Sequence, residues 1–156
     1  MRLLKTLTLA AALFCAACSA AITPAARGED NPPRWITGSA IYEVFTRDFT
    51  PEGNFQGVVR NLDRVQATGA NVIWLMPVHP IGAVNRKGPL GSSYSVRDYR
   101  AINPDYGNEA DFRALVRAVH ARGMKLIIDW VPNHTAWDHV WVTAHPHRYV
   151  RNERGE

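Results

Sequence analysis

The sequence predicts an α/β fold in which parallel strands alternate with helices, and three observations carry that prediction. Short β-prone runs recur at 40–45, 71–76 and 125–129. Two segments with helical period lie between them. The resulting order is strand, helix, strand, helix, strand, which implies parallel pairing throughout.

Each element has its own signature. Ala40-Ile-Tyr-Glu-Val-Phe45 is a compact run of β-formers. From Gln56 to Thr68, Val58, Leu62 and Val65 recur at i, i+4 and i+7, one face of a helix, and Gly69 supplies a C-terminal stop. Asn71-Val-Ile-Trp-Leu-Met76 is almost continuously apolar and ends at Pro77, as expected of a strand buried on both faces. A Gly, Pro and Ser-rich loop fills 77–107. Asn108 can then cap a second helix, with Asp111 as its first-turn acid and Phe112, Leu115, Val116 and Val119 on its buried side. Gly123 ends that helix, and Lys125-Leu-Ile-Ile-Asp129 forms the third strand.

The beginning of the chain differs in kind. Arg2 and Lys5 precede an apolar stretch from Leu7 to Phe14 and small residues at 16–21, the pattern of an export signal over residues 1–20. Residues 21–37 read as a linker, and 38–156 as the folded part, with an inserted loop or small domain beginning after about 135. Both cysteines, Cys15 and Cys18, fall inside the leader, so the folded part is expected to stand without a disulfide. An apolar leader gives Cys15-Ala-Ala-Cys18 no strand and helix to support redox chemistry. Ala16-Ala17-Cys18 resembles the end of a bacterial lipobox. Lipidation of Cys18 and ordinary cleavage near Ala20 or Ala21 are the two open readings, and both place the protein outside the cytoplasm: periplasm, outer membrane or cell surface. Two of the charges behind the formal +4 are Arg2 and Lys5. The remaining arginines are scattered among acids, which argues against nucleic-acid binding.

Periodicity alone leaves two architectures open, a doubly wound open sheet and a closed (β/α)8 barrel. The Gly-x-Gly-x-x-Gly expected of a dinucleotide-binding sheet follows neither the first nor the second strand. Asp129-Trp-Val-Pro-Asn133-His134 instead clusters an acid, an amide and an imidazole at the end of the third strand, where barrel enzymes carry site residues. This hexapeptide resembles the third-strand motif of the α-amylase family of glycoside hydrolases. Ile41 to Phe45 is similar to that family's first strand and Gly69 to Pro77 to its second. Tyr94-Ser-Val-Arg-Asp-Tyr99 and Ile102-Asn-Pro-Asp-Tyr-Gly107 are similar to its second βα loop. The resemblance runs in family order over roughly residues 38–145 and implies a (β/α)8 barrel, of which three strands and two helices are present.

The resemblance further implies retaining hydrolysis of α-glucosidic, mainly 1,4, bonds in starch or maltooligosaccharides. Its paired carboxylates follow the fourth and fifth strands, so no catalytic residue is assigned here and the 156 residues are expected to be an inactive fragment. By resemblance, Tyr94 would stack on a glucose ring, His134 would bond sugar hydroxyls, and Asp129 would organise the site by pairing with an arginine later in the chain. Asn133 matches a position that in many amylases donates a carbonyl oxygen to a structural Ca2+. The calcium loop after the family's first strand is replaced by Thr50-Pro-Glu-Gly-Asn-Phe55, and a histidine two residues before the stacking tyrosine is replaced by Ser92. The segments His79–Gly82 and Asn85–Gly88 are similar to loops of maltosyltransferases in the same superfamily, which makes glycosyl transfer the enzymatic alternative. A carbohydrate-binding remnant without catalysis is the non-enzymatic one. His134, His139, His145 and His147 with Asp138 match no zinc spacing. Trp137 and Trp141, four apart, are open to two readings, sugar platforms or one packed face of a short helix, and the packed face is the expected one.

Overall fold

The computed structural model describes residues 32–155. The expected leader, with Cys15 and Cys18, lies outside them. Gly38–Glu156 forms one unit and Met1–Thr37 another. Of the latter, residues 32–37 make an exposed turn closed by Ile36 N–H donating to Pro33 O at 2.8 Å.

Three parallel strands order as β1 (Ile41–Val44), β2 (Val72–Leu75) and β3 (Lys125–Ile128). Their register aligns Tyr42 with Ile73 and Leu126, and Glu43 with Trp74 and Ile127. Side chains alternate between faces along a strand. Tyr42, Val44, Ile73, Leu75 and Leu126 therefore share one face, and all five belong to or pack against the main apolar cluster. Ile41, Glu43, Trp74 and Ile127 share the other, where Ile41 and Ile127 are exposed.

Helix α4 (Glu109–Ala121) packs on the first face together with α2 (Phe55–Arg60). Leu115 and Val119 are fully buried, while Phe112 sits 5.5 Å from the Phe55 ring. Its start is a complete capping box: Asn108 Oδ1 accepts from Ala110 N and Asp111 N, and Asp111 Oδ2 accepts from Asn108 N. Gly69 and Gly123 adopt φ of 90° and 71° where the chain leaves a helix for a strand, the conformation predicted for both stops.

The first predicted helix is divided. A single turn, α1 (Thr46–Phe49), precedes α2, and α3 (Leu62–Gln66) follows a break at Asn61. Asn61 donates its side-chain amide to Gly57 O at 2.9 Å and accepts from Arg64 Nε at 3.3 Å, so its side chain competes for local bonds at the break. The buried face survives, since Val58, Leu62 and Val65 are each no more than 1% exposed. After β3 come a short helix, α5 (Val140–Ala144), and a 3-10 turn at Pro146–Arg148. Among the described residues no helix is long and apolar enough to cross a membrane.

Candidate functional site

Three loop segments meet beyond the C-terminal ends of β2 and β3. Residues 80–82 bond to 95–97 through Gly82 N to Ser95 O at 2.9 Å and Arg97 N to Pro80 O at 2.8 Å. Residues 136–140 bond to the same segment through Ala136 N to Val96 O at 2.8 Å and Val140 N to Arg97 O at 3.1 Å. Glycine is required where these loops touch: a Cβ on Gly82 would lie 2.3 Å from Ala136 Cβ and 2.5 Å from Asp138 Oδ1. Asp138 Oδ2 also accepts from Ala83 N at 2.9 Å, tying the outermost segment down.

Asp129 leaves β3 with its backbone still in the ladder, its N–H donating to Leu75 O at 2.8 Å. Its carboxylate Oδ2 accepts from the Tyr94 phenol at 2.7 Å. Among the described residues the partner of the Asp129 carboxylate is thus this tyrosine. The bond raises the Tyr94 pKa to about 12, chiefly through the hydrogen bond to Asp129, with burial and the nearby Asp129 and Glu43 charges adding to it. The phenol therefore remains a donor across the physiological range. Ser92 has a positional role, because its Oγ accepts from Tyr94 N at 3.2 Å.

Asn133 and His134 are both exposed at the end of the motif. The Asn133 amide nitrogen lies 3.2 Å from His134 Nδ1. An amide NH2 can only donate, so Nδ1 is the acceptor and a neutral His134 carries its proton on Nε2. Calcium takes six to eight oxygen ligands. Asn133 has one such oxygen to offer, and no group of three or more His, Cys, Asp or Glu residues suited to a metal exists among the described residues. These residues alone do not make a calcium site. The tail histidines likewise form no metal cluster; His139 is buried instead.

Tyr94 and His134, 40 positions apart in sequence, line one cavity of about 340 Å3 together with Ser92, Arg86 and Trp137. Arg86 is committed to the loop itself: its guanidinium donates to the carbonyls of Gly82, Ile81 and Pro89 at 2.8, 3.2 and 3.2 Å. His134 and Trp137 also border a second cavity, of about 680 Å3, with Trp130 and Tyr149.

The expected pairing of Trp137 with Trp141 is corrected. Trp141 lies in α5 and packs at 4.8 Å from the His139 ring and 5.7 Å from Tyr99. Trp137 precedes the helix and is 72% exposed, so the helical spacing that would have buried both does not begin early enough.

Two residues without an expected site role, Tyr99 at the end of the Tyr94–Tyr99 motif and His139, hold this region from behind. The Tyr99 hydroxyl bonds the backbone carbonyl of Val131 and lies 3.1 Å from that of His134. Its ring packs between His79 at 5.5 Å and His139 at 5.3 Å. His139 is 2% exposed and accepts from Trp141 N at 3.0 Å through Nδ1. Burial pushes its pKa below the ordinary imidazole value, against the opposing pull of Asp98 and Asp138.

The family profile described as "Alpha amylase, catalytic domain" matches residues 24–154. An α-amylase structure from Lactobacillus plantarum superposes with a TM-score of 0.75 at 47% identity, over 76% of this chain and 28% of that one. The structure of a maltogenic α-amylase from Thermotoga neapolitana gives 0.71 at 39%, over 74% and 28%. Among curated relatives, a probable oligo-1,6-glucosidase of Bacillus subtilis (strain 168) is 34% identical over 112 residues, 69% of this chain and 19% of the relative. The chain spans about a fifth of the length of such relatives. The three parallel strands are part of a (β/α)8 barrel, and the chain belongs to the α-amylase family.

Proposed function

We propose that the protein is an exported glycosidase that cleaves α-glucosidic bonds, mainly 1,4, of starch or maltooligosaccharides with retention of configuration. The observation that carries the reading is the convergence of Tyr94 and His134 on one cavity, with Asp129 holding the Tyr94 hydroxyl from behind. A phenol ring and an imidazole lining one space suit a sugar, which offers an apolar ring face and a rim of hydroxyls. Identity to two α-amylase structures, 47% and 39%, supports the amylase-type reading, and the oligo-1,6-glucosidases at 34% identity make 1,6 bonds its competitor.

In this reading Tyr94 binds the ring of the glucosyl unit being cleaved. His134 Nε2–H donates to its hydroxyls, a bond that strengthens as positive charge develops on the ring. Asp129 keeps the phenol oriented and its proton in place. None of the described residues is assigned as nucleophile or acid, and no step runs through calcium. Attachment through a lipid on Cys18 is part of the proposal for how the protein is held outside the cytoplasm.

The test is hydrolysis by the full-length gene product of maltooligosaccharides, isomaltose, trehalose and sucrose, with the product anomer followed by NMR. Preferential cleavage of maltooligosaccharides with initial release of the α-anomer is expected. Preference for isomaltose would move the assignment to 1,6 bonds, and accumulation of rearranged disaccharides from sucrose would move it to transfer. The latter alternative is favoured by similarity to an isomaltulose synthase from Erwinia rhapontici, 32% identical with a TM-score of 0.61.

A further inference from the structure

We infer that Tyr99 is a positioning residue for the proposed glycosidase, acting on His134 through the backbone of the motif loop. The inference rests on the function proposed above and adds to it a residue outside the strand-end motif.

The segment from Ser92 to Tyr99 carries two phenols, and each holds a different end of Asp129–His134. Tyr94 takes the side chain of Asp129 where the loop leaves β3. Tyr99 takes the far end, bonding Val131 O and lying 3.1 Å from His134 O. A hydroxyl has one hydrogen, so the two carbonyls share a single donor, with Val131 the closer. Val131 and His134 are three residues apart, and the hydroxyl bridges them across the turn. Breaking that bridge frees two carbonyls in a loop whose other ties lie at its two ends, at Asp129 on one side and on the other at Ala136 and at Thr135, whose Oγ1 is 2.9 Å from Tyr149 OH.

The donor itself is held rigidly. The Tyr99 ring contacts His79, His139 and Trp141 at 5.5, 5.3 and 5.7 Å. His79 is fixed in turn by Nδ1 against Ala101 O at 3.1 Å, and His139 by its bond from Trp141 N. The hydroxyl is thus presented from a packed aromatic cluster to the one stretch of backbone that carries His134. Because the imidazole is exposed and has Asn133 as its own side-chain partner, its placement depends on where that backbone sits. Misplacement by about 1 Å costs on the order of a hundredfold in rate when a group must meet a transition state.

Tyr99→Phe in the full-length protein removes the hydroxyl and keeps the ring. On a 4-nitrophenyl maltooligosaccharide, kcat is expected to fall about tenfold to a hundredfold with KM little changed, the pattern of an interaction used in the transition state. The deciding measurement is the double-mutant cycle with His134→Ala. If Tyr99 acts through His134, Tyr99→Phe has little further effect once the imidazole is gone. Equal fractional losses in both backgrounds, as partial unfolding would produce, overturn the inference. Unchanged kcat in Tyr99→Phe overturns it as well. Absence of turnover in the wild-type protein refutes the proposed function itself and the inference with it, whereas the other two outcomes leave the function standing.

Discussion

The helix-covered face of the sheet and the loop layer beyond its strand ends are held by different physics. On the face, Ile73, Leu75 and Leu115 are buried completely and no polar group is needed between them. In the loop layer the ties are directional: two phenols, a carboxylate and a series of backbone bonds connect 80–82, 94–99 and 129–140. Apolar packing tolerates small shifts and is proportional to area. Hydrogen bonds fix orientation and fail when one partner is lost. The first arrangement suits a scaffold, the second a site whose groups must meet a substrate at defined angles.

The sharpest contrast comes from the core. Leu115→Ala is expected to destabilise the full-length protein by about 2–5 kcal/mol, through lost transfer energy and an unfilled cavity under α4. Denaturant unfolding checks this, and kcat per folded molecule should stay near wild type. A normal stability would show that the face tolerates voids that its burial argues against.

Gly82→Ala probes the loop layer by overpacking it. With Ala136 Cβ at 2.3 Å, the new methyl forces the 80–82 segment away from 136–138, at about 1–3 kcal/mol. Activity should fall as well, since the displaced segments border the cavity shared by Tyr94 and His134. Loss of stability without loss of activity would separate this loop contact from the site.

A smaller effect distinguishes His139 from the exposed His134. Its ring is buried and neutral, with Nδ1 already accepting from Trp141 N. The folded ring therefore takes up a proton at lower pH than the unfolded one, whose ordinary value is about 6.5. Stability contributed this way is present above about pH 6.5 and is lost as pH falls through the lower folded value. Thermal midpoints measured from pH 8 to 5 should decline over that window, and His139→Gln should flatten the decline. Identical pH profiles would show that other groups govern it.

The scaffold was legible in the sequence because burial leaves a period. Val58, Leu62 and Val65 announced one face, Leu115 and Val119 another, and Asn108 with Asp111 announced the helix start. The break at Asn61 was not, since one amide competing for local bonds leaves the apolar spacing intact. In the site, Tyr94 and His134 were reachable through motifs. Tyr99 closes the same Tyr94–Tyr99 motif, but its role was not legible, because it bonds backbone carbonyls, and a carbonyl is present at every position and marks none. Trp137 was placed on a packed face because helical spacing was extended past the point where the helix begins.

The central claim is that the strand-end loop presents His134 to a glycosyl transition state, and His134→Ala tests it when kinetics and unfolding are measured on the same full-length preparation. The account predicts that kcat and kcat/KM fall together by about tenfold to a hundredfold, as for loss of a hydrogen bond to a charged group. The unfolding free energy should stay within about 0.5 kcal/mol of wild type, as for an exposed side chain. A stability loss of about 1–3 kcal/mol with unchanged kcat per folded molecule would contradict it and make His134 a structural residue of the strand end.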